Sequence, residues 1–223
     1  AQIEAEMDVD NYILYQLSQI YFDNTDWPGN NIKFWRAPNR KWRWILYDTD
    51  FGFGTWNYFG YLNNTLAFAL ATNGPGWPNP PWSTALFRNL MENVNFKHRF
   101  INRFADEMNT RFLPARVIEH IDTLQAVISS EIPRHFQRWG GDINAWQNNV
   151  NTMKNFAQDR PASVKQHILG VFSLPTYHEV TLVNETPQNG WVQLNSLKIQ
   201  EDSWSGDYFQ NVPITLTAEA EPG

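Results

Sequence analysis

Four polar side chains between Tyr21 and Gly54 have the types and spacing for metal-assisted group transfer: Asp26, Asn31, Asp48 and Asp50. Asp26 and Asn31 lie five residues apart across Pro28-Gly29, so a carboxylate and an amide can face one cavity. One can serve as a base or orient a hydroxyl, while the other offers a carbonyl oxygen to a cation. Asp48 and Asp50 close the second of two aromatic runs, and a carboxylate there completes a hard, oxygen-rich site suited to Mg²⁺ or Mn²⁺. Phosphoryl-transfer enzymes use the same parts: an Asp beside the acceptor hydroxyl, an Asn five residues on that holds metal, and an Asp ahead of a Gly-containing turn.

Two other readings of these residues stand beside this one. Asp and Asn are common in Pro-Gly turns because they bond their own backbone. Asp48-Thr49-Asp50 is also a D-x-D pattern, as used by nucleotide-sugar glycosyltransferases, although the βαβ region that precedes it in such enzymes is not legible here. An EF-hand is excluded, because the twelfth position from Asp48 is Phe59 and not Glu. No phosphate-cradling G-x-x-x-x-G-K-[ST] or G-x-G-x-x-G loop occurs, nor a Ser nucleophile elbow, and the five His are dispersed.

The elements that must hold the four groups follow from periodicity. Asp8 or Asp10 can cap a helix whose apolar stripe is Ile13, Leu14, Leu17, Ile20 and Tyr21, ending near Phe22 before turn-forming residues. Asn31 to Arg36 and Trp42 to Tyr47 read as a β-hairpin with apolar bulk on both faces, predicting cover on both sides. Tyr58 to Pro81, with Asn73-Gly74 and Trp77, reads as a long loop, either a lid or substrate-facing segment or a disordered excursion. Helical periods then recur at Leu86–Met91, Phe100–Phe112, and Val117–Ile128 with Pro114 in its first turn; Ile143–Met153 continues the pattern, and Pro161 is expected to open a last short helix. Asp106-Glu107 reads as charge on a solvated helix face. After Pro175 the period becomes that of strands, over Tyr177–Asn184, Trp191–Leu197 and Val212–Ala218. The fold class expected is α+β: a mostly helical body with a β-hairpin at the site, residues 1–174, and a small all-β module, residues 175–223.

Composition narrows the function classes. With 42% hydrophobic and 18% charged residues the chain is globular in character. A net charge of −6 argues against a nucleic-acid partner or an anionic membrane surface, and no run approaches the roughly 18 apolar residues of a membrane span. The absence of Cys excludes thiolate metal sites and disulfides. The first residue is Ala and the last are Ala-Glu-Pro-Gly, which suggests a piece of a longer protein.

Asp8-Val9-Asp10-Asn11-Tyr12, Asn24-Thr25-Asp26-Trp27-Pro28-Gly29-Asn30-Asn31, and Lys41-Trp42-Arg43-Trp44-Ile45-Leu46-Tyr47-Asp48-Thr49-Asp50-Phe51-Gly52-Phe53-Gly54 together resemble the CotH family of atypical, spore-coat-type protein kinases. The resemblance covers about residues 1–170 and implies a kinase-like carboxy-terminal lobe. It implies transfer of the ATP γ-phosphate to Ser of secreted or surface proteins, with Mg or Mn, at the cell surface or outside the cell, by a monomer. Asp26 is then similar to the catalytic Asp and Asn31 to the metal-binding Asn. Asp50-Phe51-Gly52 spells DFG, yet related secretory-pathway kinases place the ligand Asp six residues before a Phe/Trp-Gly. Asp48 stands six before Gly54, so it ranks ahead of Asp50. The family's amino-terminal lobe would precede residue 1, and without it the chain is expected not to turn over. The β module resembles small β repeats of bacterial surface proteins. The non-enzymatic alternative is a surface module whose Trp- and Asn-rich loops grip carbohydrate or protein.

Overall fold

A computed structural model describes residues 2–72 and 78–220. Among the described residues the architecture is α+β, dominated by helices with three small antiparallel sheets. The short helix α1 (Gln2–Glu6) leads to α2 (Val9–Phe22), which forms the axis of the body. Asp8 caps α2 by accepting the Asn11 N–H, and Asp23 ends it in a left-handed conformation with its N–H on the backbone carbonyls of Gln19 and Ile20. Ile13, Leu17, Ile20 and Tyr21 are buried, as the apolar stripe predicts.

Strands β1 (Lys33–Trp35) and β2 (Arg43–Ile45) pair antiparallel, with Phe34 opposite Trp44. Trp44 packs edge-on against Tyr12 of α2, and Asn11 fixes that strand by accepting its N–H at 2.6 Å and donating to its carbonyl at 3.2 Å. The expectation of cover on both faces is corrected here. Trp35 is 50% exposed and Ile45 40%, because α2 occupies one side and no described element lies over the other. The stretch from Tyr58 to Pro81 is not one loop either. It holds a 3-10 turn at Gly60–Leu62 and the helix α3 (Thr65–Leu70), capped by Asn64. Asn73-Gly74 and Trp77 lie outside the described residues.

Helices α4 (Ala85–Met91) and α5 (Val94–Met108) bury Phe87, Phe100 and Phe104 in a run of edge-to-face rings. Helix α6 (Pro114–Ser129) starts at Pro114 as expected, but its stripe is only partly covered: Leu124 is 67% exposed. It and α7 (Ile132–Trp139) pack against α8 (Ile143–Phe172), α6 through polar contacts such as Gln125 to Gln147 at 2.8 Å. Pro161 lies inside α8 and does not start a helix. Proline removes one helical N–H, but Phe156, Ala157, Arg160, Val164 and Ile168 are buried along one continuous face, and that packing keeps the helix whole.

Strand β3 (Tyr177–Val183) pairs with β6 (Ser203–Phe209), while β4 (Gly190–Leu194) lies between β5 (Leu197–Ile199) and β7 (Leu216–Ala220). The run expected from Trp191 to Leu197 is broken by Asn195, whose φ of 48° turns β4 back into β5. Leu194, Ile199, Tyr208, Phe209 and Val212 join the same buried cluster as the helices. Asp106 is buried at this contact, Glu107 is buried beside it on α5, and neither is solvated. Asp106 accepts from Tyr208 Oη at 2.7 Å and from the Ser196 N–H at 3.0 Å, and Glu107 pairs with Arg103 and Arg111. Among the described residues no helix is long and apolar enough to cross a membrane.

Candidate functional site

The last turn of α2 and the segment after it form the floor of the site. Arg160, fully buried on α8, donates to the carbonyls of Ile20 (2.7 Å) and Tyr21 (2.9 Å), the groups a helix end leaves unpaired. It reaches on to the carbonyls of Tyr61 and Asn63 at 2.9 and 2.7 Å. Burial lowers Arg160 to about 10, with the Asp23 and Tyr21 charges opposing that. Asp23 is also buried, and desolvation raises its carboxyl above the usual range, against the opposing pull of Thr65, Arg160 and Asn63. Thr65 Oγ1 connects the two by accepting from Arg160 at 3.2 Å and donating to Asp23 at 2.6 Å.

Upon this floor stands Asn24, fully buried. Its Nδ2 donates to Gln19 Oε1 at 2.8 Å and to the Asp48 carbonyl at 3.2 Å, while its Oδ1 accepts the Asp26 N–H at 3.1 Å. One amide therefore registers the first acidic turn against the second. Asn24 is absent from the candidates that spacing picks out. The sequence signals for it are its place at the head of the phrase Asn24 to Asn31 and its position, a polar residue just past the end of an apolar helix and two before Asp26.

The four expected residues are placed as follows. Asp26 is half-buried, and its carboxylate accepts from Asn31 Nδ2 at 2.9 Å and from Asn30 Nδ2 at 3.1 Å. Asn31 is buried with a left-handed φ of 55°. Since its Nδ2 is turned to Asp26, its Oδ1 is the atom left to accept a ligand. Asp48 and Asp50 are exposed at the end of the hairpin, and Asp48 too has a left-handed φ, 54°. Non-Gly residues held there concentrate where geometry serves a function.

The Asp48 carboxyl is held above the ordinary range, first by a hydrogen bond with the Asp50 carboxyl. Desolvation and then the negative charges of Asp50 and Asp26 add to this, and Lys33 opposes it. Asp48 thus stands within the field of both other acids, and the structure brings all four groups to one end of the hairpin. Two like charges so placed favour a shared proton or a cation between them.

The turn that carries Asp48 and Asp50 is docked by backbone. Phe53 N–H donates to the Phe22 carbonyl at 2.8 Å, and Thr25 Oγ1 donates to the Phe51 carbonyl at 3.2 Å. Gly52 permits the approach, because a Cβ there would stand 2.7 Å from the Phe22 carbonyl oxygen. Phe53 then packs between Phe22 and Phe156, at 4.8 and 5.4 Å between ring centres.

Among the described residues no three His, Cys, Asp or Glu side chains form a metal group by themselves. The donor set on offer is instead mixed: the Asn31 carbonyl oxygen with the Asp48 and Asp50 carboxylates. All are hard oxygens, and that chemistry fits Mg²⁺ or Mn²⁺.

Comparison with protein families finds one family model, described as CotH kinase protein, that matches residues 1–164. That span contains all four candidate residues, Asn24 and Arg160. Searches of curated proteins and of solved structures find no match.

Proposed function

The chain belongs to the CotH kinase protein family, and from that premise we propose that it carries the acceptor and metal end of a phosphoryl-transfer site. The reaction is transfer of the ATP γ-phosphate to Ser of a secreted or surface protein, within a longer kinase. Residues 1–174 act as its carboxy-terminal lobe and residues 175–223 as an appended β module. The observation that carries this reading is the geometry of Asp26. Its carboxylate is fixed by Asn31, and its backbone is tied through Asn24 to Asp48.

In this assignment Asp26 accepts a hydrogen bond from the Ser hydroxyl and takes its proton as the oxygen attacks. Asn31 Oδ1 and the Asp48 carboxylate, with Asp50 beside them, would hold Mg²⁺ or Mn²⁺. The bound metal supplies neutralisation of charge on the nucleotide phosphates. Asp48 is preferred over Asp50 as ligand because its carbonyl, and not that of Asp50, is bonded by Asn24. Lys33 lies where it can balance the acids, its Nζ 4.4 Å from the centre of the Tyr47 ring. Positioning and electrostatics then account for most of the catalysis. The protein is assigned to the cell surface or the extracellular space, as a monomer.

The test is labelling from γ-labelled ATP with Mg²⁺ or Mn²⁺ by the full-length protein, wild type against Asp26→Ala. Transfer to Ser that is lost in the variant supports the assignment. Equal labelling of both removes Asp26 from its role. A second reading, a binding module, is favoured by the exposure of Trp35, Trp56, Trp82 and Trp139. Labelling at background level in wild type would favour it.

A further inference from the structure

Asp26, Asp48 and Asp50 put three carboxylates at one end of the hairpin. One divalent cation offsets two of their charges when all are ionised, so an arriving nucleotide phosphate still meets a negative field. Phosphoryl transfer therefore needs positive charge on the phosphate side of the site as well as at the metal.

Most cations around the hairpin are already occupied. Arg160 is buried, with its N–H groups on the carbonyls of Ile20, Tyr21, Tyr61 and Asn63. Arg36 pairs with Glu6 at 3.0 Å, and Arg43 lies 3.5 Å from Asp8. Arg40 and Lys41 belong to the turn between β1 and β2, at the opposite end of the hairpin from the acids. Lys33 differs from all of these. It is exposed at the first position of β1, opposite Ile45, and forms no ion pair among the described residues. Its Nζ rests 4.4 Å from the centre of the Tyr47 ring, and Tyr47 is the residue before Asp48. That cation–π contact holds a flexible side chain against the acidic end. Lys33 is also close enough for its charge to act on the Asp48 carboxyl. It thus adjoins both donor segments, following Asn31 by two residues and lying on the neighbour of Asp48. A Lys ammonium has three N–H donors and no acceptor, and as a compact point charge it suits phosphate oxygens.

We propose that Lys33 is a further substrate-binding residue, the one that holds the terminal phosphates of the donor nucleotide beside Asp26. This rests on the phosphoryl-transfer reading above and adds to it a protein contact with the donor. In the step, the bond from the Ser oxygen to phosphorus forms as the bond from that phosphorus to the β-phosphate oxygen breaks. The Ser proton goes to Asp26, and the electron pair leaves on ADP. Lys33 exchanges no proton and donates hydrogen bonds to the phosphate oxygens throughout.

The test is calorimetry on the full-length protein with Mn²⁺, comparing AMP with the non-hydrolysable β,γ-imido analogue of ATP. Wild type should bind the triphosphate more tightly than AMP. Lys33→Met should shrink that preference about 10- to 100-fold, the worth of a hydrogen bond to a charged group. Affinity for AMP should hold, and Lys33→Arg should keep most of the preference. Lys33 is exposed, and Lys33→Gln serves as a second variant if Lys33→Met fails to fold. An unchanged preference in a folded variant overturns the proposal, as does an equal loss for AMP, which would mark a structural role. A wild type without preference for the triphosphate overturns it too. Rates of transfer to Ser separate this claim from the reading beneath it. A wild type that prefers the triphosphate through Lys33 yet transfers nothing refutes transfer and leaves Lys33 assigned. Transfer lost in Asp26→Ala but intact in Lys33→Met does the reverse.

Discussion

Asn24 accepts the Asp26 N–H at 3.1 Å and donates to the Asp48 carbonyl at 3.2 Å, so one buried amide sets the spacing between the two acidic turns. Replacing it strands both backbone groups. Asn24→Ala should destabilise the fold by about 1–3 kcal/mol, the cost of unpaired buried polar groups. Transfer by the full-length protein should fall about 100-fold, the effect of a small misplacement of reacting groups. Asn24→Asp keeps an acceptor for Asp26 but loses the donor to Asp48 and Gln19, and should lose activity as well. Denaturant melts and single-turnover rates check both. Wild-type rates in either variant would contradict the role.

Proton and metal compete at Asp48. Its carboxyl is raised by Asp50 first, so on acidification it takes up a proton before an isolated Asp would. Mn²⁺ affinity should therefore climb as pH rises through that raised range and level off once Asp48 is ionised. Without metal the sign reverses for stability: a raised carboxyl favours the fold below its unfolded value, and that benefit is lost as pH rises. Asp50→Asn should move the Mn²⁺ profile to lower pH. Mn²⁺ titrations across the acid range measure this, and an unmoved profile would refute the coupling.

Arg160 is a buried cation tied at once to the end of α2 and to the segment from Tyr61 to Thr65. Arg160→Met leaves the buried Asp23 without a nearby positive charge and the α2 carbonyls without donors. The expected loss is about 3–5 kcal/mol, as for one partner removed from a buried ion pair. That loss should grow as pH rises through the raised Asp23 range, because ionised Asp23 then lacks its counter-charge. Urea denaturation at two pH values checks both the size and the sign.

Gly52 should tolerate no side chain. Its φ is not left-handed, so the cost comes from contact alone: an added Cβ meets the Phe22 carbonyl oxygen at 2.7 Å and the Thr49 carbonyl oxygen at 3.1 Å. Gly52→Ala should shift the turn that carries Asp48 and cost about 1–3 kcal/mol. Thermal melts together with Mn²⁺ affinity would show the two effects moving in step.

Local rules were enough for some of this structure. The cap at Asp8, the buried stripe of α2, Pro114 at the head of α6 and the hairpin before Asp48 are all decided within a few residues. What was hidden depends on distant partners. Asp106 reads as solvated charge on α5, and it takes the turn at Ser196 and Tyr208 of β6 to make it a buried acceptor. Pro161 signals a helix start until Arg160 and Phe156 are seen locked into the core beside it. The exposed face of the hairpin, with Trp35, had no local sign at all. In the site, Asp26, Asn31, Asp48 and Asp50 were legible as polar groups in an aromatic stretch. Asn24 was not, since its importance lies in bonds to residues on either side of a hairpin.

The central claim is that Asn31 and Asp48 hold a divalent cation beside Asp26. Diffraction from Mn²⁺-soaked crystals at the manganese edge tests it directly. An anomalous peak about 2.1 Å from both Asn31 Oδ1 and an Asp48 carboxylate oxygen is the result expected. A peak held by Asp50 without Asn31, or no peak at this end of the hairpin, would contradict it.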